Sequence, residues 1–107
     1  MLTLEILYLG YQKMVYFISG DKWTISLSKK AHGQFEKLEL PIQELIDKAL
    51  KALSDEGPRP CHWDVKKTGD CEYRLRLNYR YRMRYLVNEH ALLIEIFYLG
   101  HRKDAYR

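Results

Sequence analysis

The 107-residue sequence predicts one α+β domain. A helix hairpin packs on one face of a mainly antiparallel sheet of about four strands, in the order β-α-α-β-β-β, with an extra N-terminal strand or extension. Three observations lead there. Apolar and polar residues alternate with period two at residues 23–28 and again through much of 72–99. Between these stretches the apolar residues recur at helical spacing. Gly57-Pro58-Arg59-Pro60 is the one cluster of strong loop punctuation, and it divides the helices from an all-strand second half.

Taken in order, the N-terminus contains a partial internal repeat. Leu4-Glu5-Ile6-Leu7-Tyr8-Leu9-Gly10-Tyr11-Gln12-Lys13 resembles Ile94-Glu95-Ile96-Phe97-Tyr98-Leu99-Gly100-His101-Arg102-Lys103 in register. One copy is too few for a repeat architecture, which needs about three units. Residues 2–9 are expected to form a strand that covers a sheet edge, within an extension spanning residues 1–21. The main domain then covers residues 22–107. Trp23-Thr24-Ile25-Ser26-Leu27-Ser28 is a half-buried strand, and Ser28 caps a helix over residues 29–38 carrying Ala31, Phe35 and Leu38 on one side. Pro41 suits the first turn of a second helix, whose stripe is Ile42, Leu45, Ile46, Ala49, Leu50 and Leu53; Gly57 and Pro58 end it. Strands follow at residues 72–77, 79–87 and 92–99, the last two joined by a turn at Asn88-Glu89-His90.

Composition narrows the function classes. With 47% apolar and 30% charged residues the chain can fill one core and carry a polar surface. No run approaches the roughly 20 apolar residues of a membrane-spanning helix, and no basic segment precedes the first apolar residues, so a cytoplasmic location without membrane association is expected. Cys61 and Cys71 form no CxxC and no Cys/His ladder. Neither a metal site, nor a disulfide framework, nor a cofactor is expected.

The net charge of +4 is unevenly spread. Residues 1–57 hold seven Lys and no Arg against eight acids; residues 58–107 hold eight Arg and three Lys against six acids. Arg grips phosphate through a planar fork of donors, so this asymmetry suits a polyanionic partner, nucleic acid first. Most of it lies in Tyr73-Arg74-Leu75-Arg76-Leu77-Asn78-Tyr79-Arg80-Tyr81-Arg82-Met83-Arg84-Tyr85. Strand alternation puts Arg74, Arg76, Arg80, Arg82 and Arg84 on one sheet surface with no acid among them, and Tyr73, Leu75, Leu77, Tyr79, Tyr81, Met83 and Tyr85 on the other. Like charges directly opposed across strands are destabilising, so a phosphate backbone explains the pattern well; a solvated face explains it too. A second cluster, Gly100-His101-Arg102-Lys103-Asp104-Ala105-Tyr106-Arg107, joins cations, an imidazole and an aromatic, a combination suited to RNA or to a plain basic tail.

The segments YRLRLNYRYRMRY and GHRKDAY, behind a strand, a helix hairpin and a Gly-Pro-Arg-Pro loop, resemble the RelE/ParE toxin superfamily of bacterial toxin–antitoxin systems. The resemblance covers about residues 22–107, and Met14 stands where a family member would begin. It implies a ribosome-dependent mRNA endoribonuclease that inhibits translation, partnered by mRNA in the ribosomal A site and restrained by a cognate antitoxin. By position, Arg74 and Arg76 match the two basic residues of the strand after the loop, where lysines are common. Arg82 matches the arginine of the Y-R-x-x-Y strand, Arg102 the arginine after the last strand, and Tyr106 the aromatic near the end.

In the implied reaction the ribose 2′-hydroxyl attacks its own 3′-phosphate. Arg82 and Arg102 would hold the developing charge, Tyr106 would stack on a base, and Arg74 and Arg76 would grip flanking phosphates; Arg80, Arg84, His101 and Lys103 complete the RNA-binding set. His101, an imidazole, is a candidate acid or base, whereas an arginine does not shed its proton. No Glu or Asp is expected within the arginine strands to serve as base. Two other functions fit the same family: a ParE-like inhibitor of DNA gyrase, and a non-catalytic relative whose basic cleft the N-terminal extension occludes.

Overall fold

The computed structural model describes the backbone of two N-terminal strands, residues 4–9 and 13–19, and residues 22–102 in full. Their elements run β1 (Leu4–Leu9), β2 (Lys13–Ser19), β3 (Thr24–Leu27), α1 (Lys29–Glu36), α2 (Leu40–Glu56), β4 (Asp64–Lys67), β5 (Glu72–Arg76), β6 (Tyr81–Asn88) and β7 (Leu93–His101). All the strands join one sheet in the order β1-β2-β3-β7-β6-β5-β4. Only the β3–β7 pair is parallel. The α+β class, the helix hairpin and the mainly antiparallel sheet are those read from the sequence. The N-terminal segment contributes two strands, with β1 on the outer edge.

Local chemistry sets each boundary. The Ser28 hydroxyl accepts the Ala31 N–H at 3.1 Å and caps α1. Gly57 ends α2 at φ +94°, and its N–H bonds the Leu53 carbonyl at 2.9 Å. A Cβ there would stand 3.0 Å from Trp23 Nε1, so both the backbone angle and the indole require glycine. The Trp23 backbone N–H in turn donates to the Ser54 carbonyl at 3.0 Å, pinning the start of β3 to the end of α2.

The helices lie on one face of the sheet, and burial follows the pattern. Ile46, Ala49, Leu50 and Leu53 of α2 meet Ile25 and Leu27 of β3, Leu75 of β5, Met83 and Tyr85 of β6, and Ile94, Ile96 and Leu99 of β7 in one core. The Gln34 side chain reaches across from α1 to accept the Leu99 N–H at 2.9 Å, and Gln43 donates to the Phe35 carbonyl at 2.9 Å, fixing both helices to their neighbours. Tyr85 is buried with its hydroxyl donating to the Pro58 carbonyl at 2.5 Å; burial holds its phenol protonated far above the ordinary range. That bond anchors the Gly-Pro-Arg-Pro loop to the middle of the sheet.

Two differences from the sequence reading bear on function. Strand β4 is absent from the sequence reading: Asp64-Val65-Lys66-Lys67 is short and mostly charged, as suits an exposed edge, and offers too little alternation to register. The strand expected at residue 79 starts at Tyr81 instead. The Asn78 side-chain oxygen accepts the N–H groups of Arg80 and Tyr81 at 2.8 and 2.9 Å, folding residues 78–80 into a turn. Tyr79 therefore stands 66% exposed, off the apolar face where alternation had put it.

Candidate nucleic-acid interface

Strand register assembles the basic face. Tyr73 and Leu75 point into the core, so Arg74 and Arg76 point away from the helices. Across β4, β5, β6 and β7 one row of partners reads Asp64, Arg76, Arg82, Gly100, and the next reads Lys66, Arg74, Arg84, Tyr98. Arg76 thus opposes Arg82 and Arg74 opposes Arg84 directly, an arrangement that is unfavourable unless something neutralises it.

Part of the neutralisation is internal. Arg84 bonds Glu72 at 2.6 Å and lies over the Phe97 ring at 5.1 Å. Phe97 is placed there by the register shift opposite Arg84/Tyr85. Glu72 also accepts the Thr68 hydroxyl at 2.7 Å. Arg76 faces Asp64 at 3.8 Å, too long for a strong pair. The expectation that no acid stands within the arginine strands is corrected here, because Glu72 is the first residue of β5 and the register brings Asp64 alongside.

The Arg84 guanidinium holds the Glu72 carboxyl below its ordinary pKa of 4.5, with the Thr68 hydroxyl helping. A depressed carboxylate pKa stabilises the fold above the unfolded value, and that contribution fades as pH falls through the folded one. Urea denaturation between pH 7 and pH 3 should therefore show Glu72→Gln less stable than wild type at neutrality, with the gap closing below about pH 4.5. A gap independent of pH would contradict the pairing.

Arg82 differs from its expected role. It is only 6% exposed, and its Nη1 donates to the carbonyls of Asn78 at 2.6 Å and Tyr81 at 3.1 Å, with Tyr79 at 3.5 Å. The guanidinium therefore braces the 78–81 turn from beneath and lines the basic hollow with one edge. That hollow, about 210 Å³, is bounded by Asp64, Lys66, Arg74, Arg76 and Arg82.

Arg102 reaches the same region from the end of β7. Its N–H bonds the Arg80 carbonyl at 2.7 Å, and its guanidinium lies 4.5 Å from the centre of the Tyr79 ring. Two residues earlier, Gly100 lies under the Tyr98 hydroxyl, which donates to the His101 carbonyl; a Cβ there would come within 2.7 Å of it and force that side chain to shift.

Of the sequence-predicted residues, the structure thus gathers Arg74, Arg76 and Arg82, with Arg102 joined to them through the turn. Arg84 is engaged by Glu72. Arg80 sits exposed in the turn instead of on the strand face. His101 pairs with Tyr81 and meets its ring edge-on at 5.9 Å, on the helix side of the sheet, so it does not share the arginine face. Lys103 and Tyr106 lie outside the described residues. Lys66, Asp64 and Tyr79 also belong to this surface, the first two brought by β4, while Trp63 borders it and packs on the core.

No family model matches the sequence, and no curated protein sequence matches it. Solved structures do. The chain has the fold of the RelE-like toxins. It is similar to the structure of a RelE–RelB complex from Pyrococcus horikoshii OT3, at 22% identity and a TM-score of 0.66 over 77% of this chain and 97% of the other. It is similar to a RelB–RelE antitoxin–toxin complex from Methanococcus jannaschii, at 21% identity and 0.63 over 75% and 93%. A metal-bound toxin from Helicobacter pylori follows, at 15% and 0.58 over 73% and 92%. The fold resemblance read from the sequence therefore holds.

Proposed function

We propose that this chain is the toxin of a toxin–antitoxin pair and cuts mRNA on the ribosome, with β1 and β2 added to a RelE-like core. One observation carries the reading: Lys66, Arg74, Arg76 and Arg82 surround one hollow on the sheet face opposite the helices. Cations so crowded are best satisfied by a phosphodiester. The structures of similar fold cover about three quarters of this chain while nearly spanning their own, which leaves room for an added segment.

In the reaction the ribose 2′-oxygen loses its proton and attacks the adjacent phosphorus as the P–O5′ bond breaks, and the 5′-oxygen takes a proton from water, producing a 2′,3′-cyclic phosphate and a 5′-hydroxyl. Arg74 and Arg76 hold the non-bridging oxygens as charge builds, and Arg82 keeps the wall of the hollow positive. Asp64, the carboxylate lining the hollow, is the candidate proton acceptor, since the arginines stay protonated. The cytoplasmic antitoxin that restrains it would be an acidic segment that folds across the basic face.

Induced expression without an antitoxin, followed by primer extension on translated messages, tests this. Growth arrest with new 5′ ends inside reading frames is the expected result. Intact messages with altered plasmid supercoiling would replace it with gyrase inhibition, and unimpaired growth with a non-catalytic role.

A further inference from the structure

Beside the arginine hollow lies a second, wider one of about 390 Å³, bounded by His62, Trp63, Asp64, Arg76, Leu77, Asn78 and Tyr79. Asp64 and Arg76 belong to both, so a chain gripped by one hollow has its next group at the mouth of the other. The two differ in chemistry. The first is walled by charge; the second is lined by an exposed phenol ring, an imidazole and the partly buried Trp63, which also packs on the core.

Three features suit the second hollow to a flat, hydrogen-bonding ring. Tyr79, 66% exposed, is held upright by Arg102, whose guanidinium lies 4.5 Å from the ring centre and whose Nη2 donates to the phenol oxygen at 3.5 Å. An aromatic with a cation on one side is a ready stacking platform. The Asn78 side-chain oxygen is committed to two backbone N–H groups, which leaves its NH₂ group as the amide's donor at the hollow's lining. His62 adopts a left-handed backbone at φ +63°, unfavourable for a non-glycine residue, and this brings it and Trp63 to the hollow's other side.

We propose that the hollow between Trp63 and Tyr79 is a nucleobase site, taking one unstacked base of a single-stranded RNA whose neighbouring phosphate lies on Arg74 and Arg76. The inference rests on the RNA-binding reading above and adds to it a place where base identity is sensed. Stacking on Tyr79 supplies affinity, and the Asn78 amide favours bases presenting an acceptor at that edge.

The test uses a labelled 2′-O-methyl RNA trinucleotide, which cannot be cleaved, and the same trinucleotide with an abasic centre, measured by fluorescence anisotropy. Wild type should bind the intact probe more tightly. Tyr79→Ala should weaken the intact probe by about 5- to 100-fold, as expected for one stacked base, and leave the abasic probe unchanged. Tyr79→Phe should restore binding, and Arg76→Ala should weaken both probes alike. Equal wild-type affinity for the two probes, or an equal loss for both in Tyr79→Ala, would overturn the base site and leave the phosphate surface standing. Failure of wild type to bind either probe would remove both readings together.

Discussion

Replacing Arg74 and Arg76 together by glutamine should lower RNA cleavage by at least about 10³-fold while the protein stays folded. Single preorganised donors at a developing oxyanion contribute about 10²–10³ each, and the combined loss is not expected to be strictly additive. The fold should tolerate the change. Arg76 makes only a 3.8 Å contact with Asp64, and its side chain is 47% exposed. Removing two of the four arginines opposed across β5 and β6 also relieves like-charge crowding, which offsets lost contacts. Thermal denaturation beside the cleavage assay separates the effects. Wild-type cleavage by the double variant would move the chemistry away from this face.

Arg82→Ala should do the opposite in one respect: it should damage the fold as well as the activity. Its guanidinium is buried and donates to the Asn78, Tyr79 and Tyr81 carbonyls of the 78–81 turn, the last of which also accepts the Leu77 N–H. Leaving such acceptors unsatisfied costs about 1–3 kcal/mol, and each kcal/mol lowers Tm by roughly 4–8 °C in a domain of this size. Arg82→Gln keeps an N–H donor without the charge, so it should regain part of the stability and none of the activity. An Arg82→Ala protein as stable as wild type would show that the turn needs no brace.

Why the sequence revealed some of this and not the rest has physical causes. The helix hairpin was legible because Ser28, Pro41 and Gly57 punctuate it and the α2 stripe is uninterrupted; each is a local signal. The paired arginines of β5 and β6 were legible because alternation assigns a face without knowing the neighbours. The depth of Arg82 was not, since it depends on a turn created by the Asn78 side chain, which also took Tyr79 and Arg80 out of the strand. The acids were hidden for a similar reason. Asp64 and Glu72 lie outside the arginine run in sequence, and only pairing of β4 with β5 and the bond to Arg84 bring them to it. His101 was misplaced because its position in the basic tail said nothing of the residue facing it; pairing with Tyr81 sends it to the helix side.

The most direct test is a solution NMR titration of the isotopically labelled protein with a non-cleavable 2′-O-methyl RNA. Shifts concentrated at Lys66, Arg74, Arg76 and Arg82, with α1 and α2 undisturbed, are predicted. Shifts confined to the helix hairpin, with those four residues unmoved, would contradict it.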